Sequence, residues 1–202
     1  ENDMIKDIND FGICYDPVED TLHVGGVKIS KISKPENDMK QTHIKTASLG
    51  SISHGTLKTE DLLSAFLSEM EWQMGRNGEY FAAPENFGER DKMAGLIGDA
   101  QDCFNDEDEI AEDKQDEADE LVNELQDALG AFAPPYCYFG THEGDGSDFG
   151  FWPFTAEIED LPCYEGTDEA KEAGETGDFR VVNDHGNVTV YSASGDEIIG
   201  IA

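Results

Sequence analysis

Positive charge is what this sequence has least of: 13 Lys and Arg stand against 46 Asp and Glu, for a formal net charge of −33 with histidine neutral. Such a surface repels the phosphate backbone that supplies most of the affinity of nucleic-acid binders, so direct binding of nucleic acid is excluded as the main reading. The chain also lacks any apolar run of about 18 residues, and no membrane-spanning helix is encoded. Its four cysteines, Cys14, Cys103, Cys137 and Cys163, lie far apart with no CxxC pair. That spacing fits small core thiols in a reducing cytoplasm better than a disulfide scaffold. Linear catalytic signatures are missing too. His23, His43, His54, His142 and His185 form no HxxxH or HExxH pattern, and no GxSxG, Walker A or GxGxxG stretch occurs. This removes enzymes recognisable by a local motif and leaves sites assembled from distant residues untouched. The chain opens on Glu1 rather than Met, which reads as a trimmed start, so no targeting peptide is judged from it.

What is present suffices for a fold. The 202 residues include 11 Phe, 6 Tyr and 2 Trp, and the apolar positions recur in periodic segments, which separates the chain from acidic disordered sequences. The expectation is one compact domain over residues 1–202, with subdomains 1–57 of short strands and 58–202 of acidic helices and sheet. Phe11 to Tyr15, Thr21 to Val24 and Val27 to Ile32 read as a meander punctuated by Asp16-Pro17 and Gly25-Gly26. The one basic cluster, Lys28, Lys31, Lys34, Lys40 and Lys45, reads as edge protection or as neutralisation of the acidic half. Leu62, Leu63, Phe66, Leu67, Met70 and Met74 mark a helix that Thr59 starts, and Met93, Leu96, Ile97 and Ala100 mark a second over about 87–104. Residues 141–154 read as a glycine-rich loop with an aromatic run, and residues 156–177 as surface loop with one helical turn. Phe179 to Val182, Val188 to Tyr191 and Glu197 to Ile201 form a C-terminal antiparallel meander. The fold class is α+β, with that meander packed against the amphipathic helices.

Charge is concentrated in the second half: residues 101–150 hold sixteen acids and one base. A third helix is expected from about Asp106 to Leu129, with Ile110, Ala118, Leu121, Val122, Leu125 and Leu129 as its narrow apolar stripe. Lys114 interrupts the stripe and can lay its stem along the seam. The rest of that segment is mostly carboxylate. Such a run offers solvated, mutually repelling acids rather than the desolvated pair that acid–base catalysis needs, and the same holds for Glu157, Glu159 and Asp160. No enzyme activity and no cofactor are expected. The candidate for a hard cation is the cluster His142, Glu143, Asp145 and Asp148, which fails the EF-hand spacing.

Residues four apart on a helix rise about 6 Å, comparable to the roughly 7 Å between neighbouring phosphates of one nucleic-acid strand. Glu109, Asp113, Asp116, Glu120, Glu124 and Asp127 thus draw a line of phosphate-like charge, flanked by Asp108 and Glu112. Trp152, in the aromatic run, is the expected apolar anchor beside it. In composition the chain resembles the acidic inhibitors that phages and mobile elements direct against restriction and CRISPR effectors. The resemblance is one of charge, with no matched residue pattern, and it implies a basic nucleic-acid-binding protein as partner in the host cytoplasm. Two other classes account for the same charge: a structural or chaperone-like protein with a basic partner, and a surface adapted to high salt. Nothing in the sequence fixes oligomeric state, and a homo-oligomer stays open.

Overall fold

The computed structural model describes residues 6–9, 13–16, 21–24 and 27–29 as backbone strands, and residues 43–107 and 109–201 in full. The chain divides into two compact units, Glu1–Thr42 and His43–Ala202. In the first, strands β1 (Lys6–Asn9), β2 (Ile13–Asp16), β3 (Thr21–Val24) and β4 (Val27–Ile29) form an antiparallel meander in chain order. Strands β2, β3 and β4 fall on the three expected segments, β1 is not among the expected strands, and residues 11–12 and 30–32 of those segments lie outside the described residues. Lys31, Lys34 and Lys40 of the basic cluster lie outside the described residues.

The division falls at 42/43 rather than 57/58, because strand β5 (Gly50–His54) pairs with a strand of the second unit. Helix α1 (Thr59–Arg76) follows, with Leu62, Leu63, Phe66, Met70 and Gln73 buried. Thr59 does not cap it: Lys58 occupies the cap position without a side-chain bond, and the Thr59 hydroxyl donates to Asp119 instead. A short helix α2 (Gly78–Phe81) leads to α3 (Phe87–Gln101), whose buried Met93, Leu96 and Ala100 match the expected face. Helix α4 (Gln115–Leu129) buries Ala118, Leu121, Leu125 and Leu129.

Strands β6 (Cys137–His142) and β7 (Asp145–Pro153) make a hairpin, and the sheet order is β5-β7-β6. The segment expected as a loop is therefore mostly strand. Phe149 and Phe151 alternate with Trp152 across the pleat, and burial of the two Phe rings outweighs the turn tendency of the glycines. Phe66 of α1 sits edge-on to Phe139 at 5.1 Å and to Phe149 at 5.4 Å, while Phe139 meets Phe151 at 4.8 Å. The helices thus cover this three-stranded sheet, and one apolar core joins them to it.

The C-terminal sheet has a separate, smaller core. Strands β9 (Phe179–Val182), β10 (Val188–Tyr191) and β11 (Glu197–Ile201) are antiparallel, as expected. Residues 155–178 are more ordered than a surface loop. They contain α5 (Thr155–Glu159), the two-residue strand β8 (Cys163–Tyr164), which joins β9 in parallel, and α6 (Thr167–Ala173). Ile158 of α5 packs with Val190 and Ile199, so a short helix, rather than α1, α3 or α4, fills this core. Leu49 borders both cores.

Two local features lock the second unit. Asn77 is buried; its side-chain oxygen accepts from the Lys45 N–H at 2.6 Å and its amide donates to Lys45 O at 3.1 Å and Gln73 O at 2.9 Å. It replaces a missing ladder partner for the segment that leads into β5. At Gly150, an added Cβ would lie 2.1 Å from Gly50 O, so the β5 backbone presses onto this residue. We expect Gly150→Ala to destabilise the protein by about 1–3 kcal/mol through overpacking. Gly146→Ala, in open space, should change little, and urea unfolding of the two variants provides the comparison.

Candidate functional site

Helix α4 forms because Ala118, Leu121, Leu125 and Leu129 recur at helical spacing and all four are buried. Asp116 and Glu117 in its first turn favour the positive end of the helix dipole. The other end is unfavourable: Glu124 and Asp127 lie toward the negative end, and the last turn has no basic residue. Asp116, Glu120 and Glu124 are also like charges four apart, an arrangement that destabilises an isolated helix by a few tenths of a kcal/mol per pair. The buried seam holds the helix together against both effects.

At 3.6 residues per turn, Asp116, Glu120, Glu124 and Asp127 fall within about 80° of one another, on the side away from the seam. All four are exposed. Among the described residues the ion pairs are Arg90–Asp91 at 2.7 Å and Lys114–Glu117 at 2.6 Å, and neither involves this row. Asp119 points elsewhere and accepts from Thr59. Lys114, instead of interrupting a helical seam, ends a single 3-10 turn (Glu112–Lys114). Its bond to Glu117 is the main reason its ammonium is held above the ordinary lysine range.

The expected helical row is shortened at its start. The helix begins at Gln115, not near Asp106. The Asn105 carboxamide accepts from the N–H groups of Glu107 at 2.8 Å and Glu109 at 3.1 Å, and the Asn105 N–H donates to Glu109 O at 2.9 Å. An isolated bridge between Phe104 and Ile110 closes the loop. Local side-chain bonding of this kind competes with helix, and adjacent carboxylates add repulsion. Glu109 therefore sits on a loop, Glu112 and Asp113 sit on the 3-10 turn, and all three are exposed. Asp108 lies outside the described residues. The row expected from the sequence over about 27 Å is regular over about 16 Å, from Asp116 to Asp127.

The cation candidate is not assembled. Among the described residues no group of three or more His, Cys, Asp or Glu side chains is placed to hold a metal ion. His142 Nδ1 accepts from the Gly144 N–H at 3.0 Å, and Asp148 accepts from the Ser51 hydroxyl. Asp145 accepts from the N–H of Ser147 at 2.9 Å and from its hydroxyl at 2.8 Å, and these bonds hold its carboxyl below the ordinary range. Glu143 occupies the hairpin turn.

Trp152 is half-buried and lies across the strand pair from Tyr138. The acid that shares its groove is Glu143, not a member of the α4 row, so the expected anchor has a different neighbour. Among the described residues one exposed aromatic escaped the sequence analysis, Trp72 on α1, 64% exposed, whereas Phe154, 42% exposed, ends the aromatic run. Trp72 was findable, since it lies about 120° around the helix from Phe66 and outside the apolar stripe. The Cys103, Cys137 and Cys163 thiols are free, the first buried and the last exposed. No helix among the described residues is long and apolar enough to cross a membrane. Comparison with protein-family models, with curated proteins and with solved structures finds no match to this chain.

The unpaired acids predict a salt-stabilised fold. Raising sodium chloride from ~0.02 M to ~0.5 M shortens the screening length severalfold. Each ~1 kcal/mol of repulsion relieved should move the thermal midpoint up by ~2–4 °C for a chain of this size. A midpoint that is flat or falls with salt would mean that the carboxylates do not repel one another appreciably in the folded state.

Proposed function

We propose that this protein is a non-enzymatic acidic inhibitor whose α4 carboxylates stand in for nucleic-acid phosphates in the cationic groove of a nucleic-acid-binding protein. The setting is host cytoplasm, and restriction and CRISPR effectors are the class of target. The observation that carries the proposal is the row Asp116, Glu120, Glu124 and Asp127: exposed, without an ion-pair partner among the described residues, and borne on a helix fixed by a buried seam.

Its regular part, about 16 Å long, equals about five base-pair rises of a duplex. The loop acids Glu109, Glu112 and Asp113 add charge before it without the same spacing. An Arg- and Lys-lined groove gains charge-assisted hydrogen bonds and fast, steered association from such a surface. The row is also held at a disadvantage to the helix that bears it, through like-charge spacing and an unfavourable C-terminal end. A surface selected for stability alone would place cations there.

The test is displacement of duplex DNA from purified restriction and CRISPR effectors, read by fluorescence anisotropy at several salt concentrations. The expected result is competition with at least one effector, through a binding constant that falls steeply as salt rises. Replacing all four acids, as Asp116→Asn, Glu120→Gln, Glu124→Gln and Asp127→Asn, should weaken that binding by about 1–4 kcal/mol, from severalfold to several hundredfold, with circular dichroism unchanged. An effector bound without loss of its DNA would sink the mimic and favour a structural protein with a basic partner.

A further inference from the structure

The hairpin carries a second feature. Its alternation sends Phe139, Phe149 and Phe151 into the core beneath the helices, and places Tyr138 and Trp152, which are direct cross-strand partners, on the other face. A groove of about 360 Å³ opens there, lined chiefly by Tyr138, His142, Glu143, Trp152 and Pro153.

The rings are held by bonds of their own. Trp152 Nε1 donates to Gly140 O at 3.1 Å, and the Tyr138 hydroxyl donates to Thr141 O at 2.9 Å. His142 lies edge-on to Trp152 at 4.7 Å, and Phe154 packs on Tyr138 at 4.7 Å. The hydrogen-bonding groups of Trp152 and Tyr138 are thus engaged by backbone carbonyls. What remains for a ligand is aromatic surface, the Glu143 carboxylate, and the polar groups His142 Nε2 and the Thr155 hydroxyl. Glu143 lines the same groove as Tyr138, and its charge, after burial, helps to hold the Tyr138 phenol above its ordinary value.

Aromatic surface with an adjacent carboxylate suits a flat cation. A guanidinium stacks on rings and pairs with a carboxylate at once, whereas an ammonium is more strongly hydrated and has no plane to stack. The net charge of −33 disfavours any anion in the groove. We propose that this groove receives an arginine side chain of the basic partner, laid against Trp152 and Tyr138 and paired with Glu143. The proposal rests on the inhibitor reading for the nature of the partner, and on the groove alone for the chemistry of recognition.

The probe is N-acetyl-arginine amide, titrated into the whole protein with the indole N–H resonances of Trp152 and Trp72 followed by NMR. Arginine should shift Trp152 to saturation with a Kd on the order of millimolar, while Trp72, exposed on α1, moves little. N-acetyl-lysine amide should bind several times more weakly. Glu143→Gln should weaken arginine binding by about twofold to fivefold, and Trp152→Leu, followed through a Tyr138 resonance, should abolish it. If that variant does not fold, the exposed Glu143→Gln change carries the test. Equal shifts at both tryptophans, equal affinity for lysine, or indifference to Glu143→Gln would overturn the proposal. Saturable arginine binding in a protein that displaces DNA from no effector would keep the groove and sink the inhibitor. Displacement of DNA without a saturable response at Trp152 would do the reverse.

Discussion

A row of carboxylates that repel one another needs a rigid base, and here the base is the seam of Ala118, Leu121, Leu125 and Leu129, all buried beneath α4. Without it the acids would favour an expanded chain, because charge at this density works against compaction. With it, Asp116, Glu120, Glu124 and Asp127 keep a fixed spacing toward solvent. Burial of large apolar side chains contributes about 1.5–3 kcal/mol each, several times the penalty for one like-charge pair on a helix surface. Packing therefore sets the position of the charge.

The same constraint extends through α1. Phe66 meets Phe139 and Phe149 of the hairpin, and the core that contains it also contains the α4 seam. The hairpin that supplies this floor carries Tyr138 and Trp152 on its other face, so one pair of strands supports the acidic helix on one side and an aromatic groove on the other. The C-terminal sheet, with its own small core around Val190, takes no part in either surface.

Periodic apolar segments were legible in the sequence, and segments ruled by side-chain competition were not. Helices α1 and α3 and strands β9 to β11 follow from their patterns because burial alone decides them. The start of α4 does not, since Asn105 bonds the backbone of the acidic stretch and holds it out of helix. In the hairpin, Gly144, Gly146 and Gly150 signal a loop, while Phe149 and Phe151 signal a strand. Core formation settles the conflict in favour of the strand, and Gly150 is required there because β5 runs against it. Of the candidate site, the acids of α4 were legible as an exposed face. The groove was not, because Tyr138 and Glu143 reach Trp152 only through pairing across the hairpin.

Charge and aromatic surface act on different parts of a binding reaction. Long-range attraction accelerates encounter and fades with salt, whereas a desolvated contact mainly slows dissociation. A decoy built from carboxylates alone competes at a disadvantage, since duplex nucleic acid presents more charge per unit length than a helix row of about 16 Å. An arginine seated in a groove adds a contact that salt screens less. If both surfaces engage one partner, association should depend strongly on salt and dissociation only weakly. That asymmetry separates a two-surface inhibitor from a polyanion bound by charge alone, for which salt weakens the complex without such a division between the two rates.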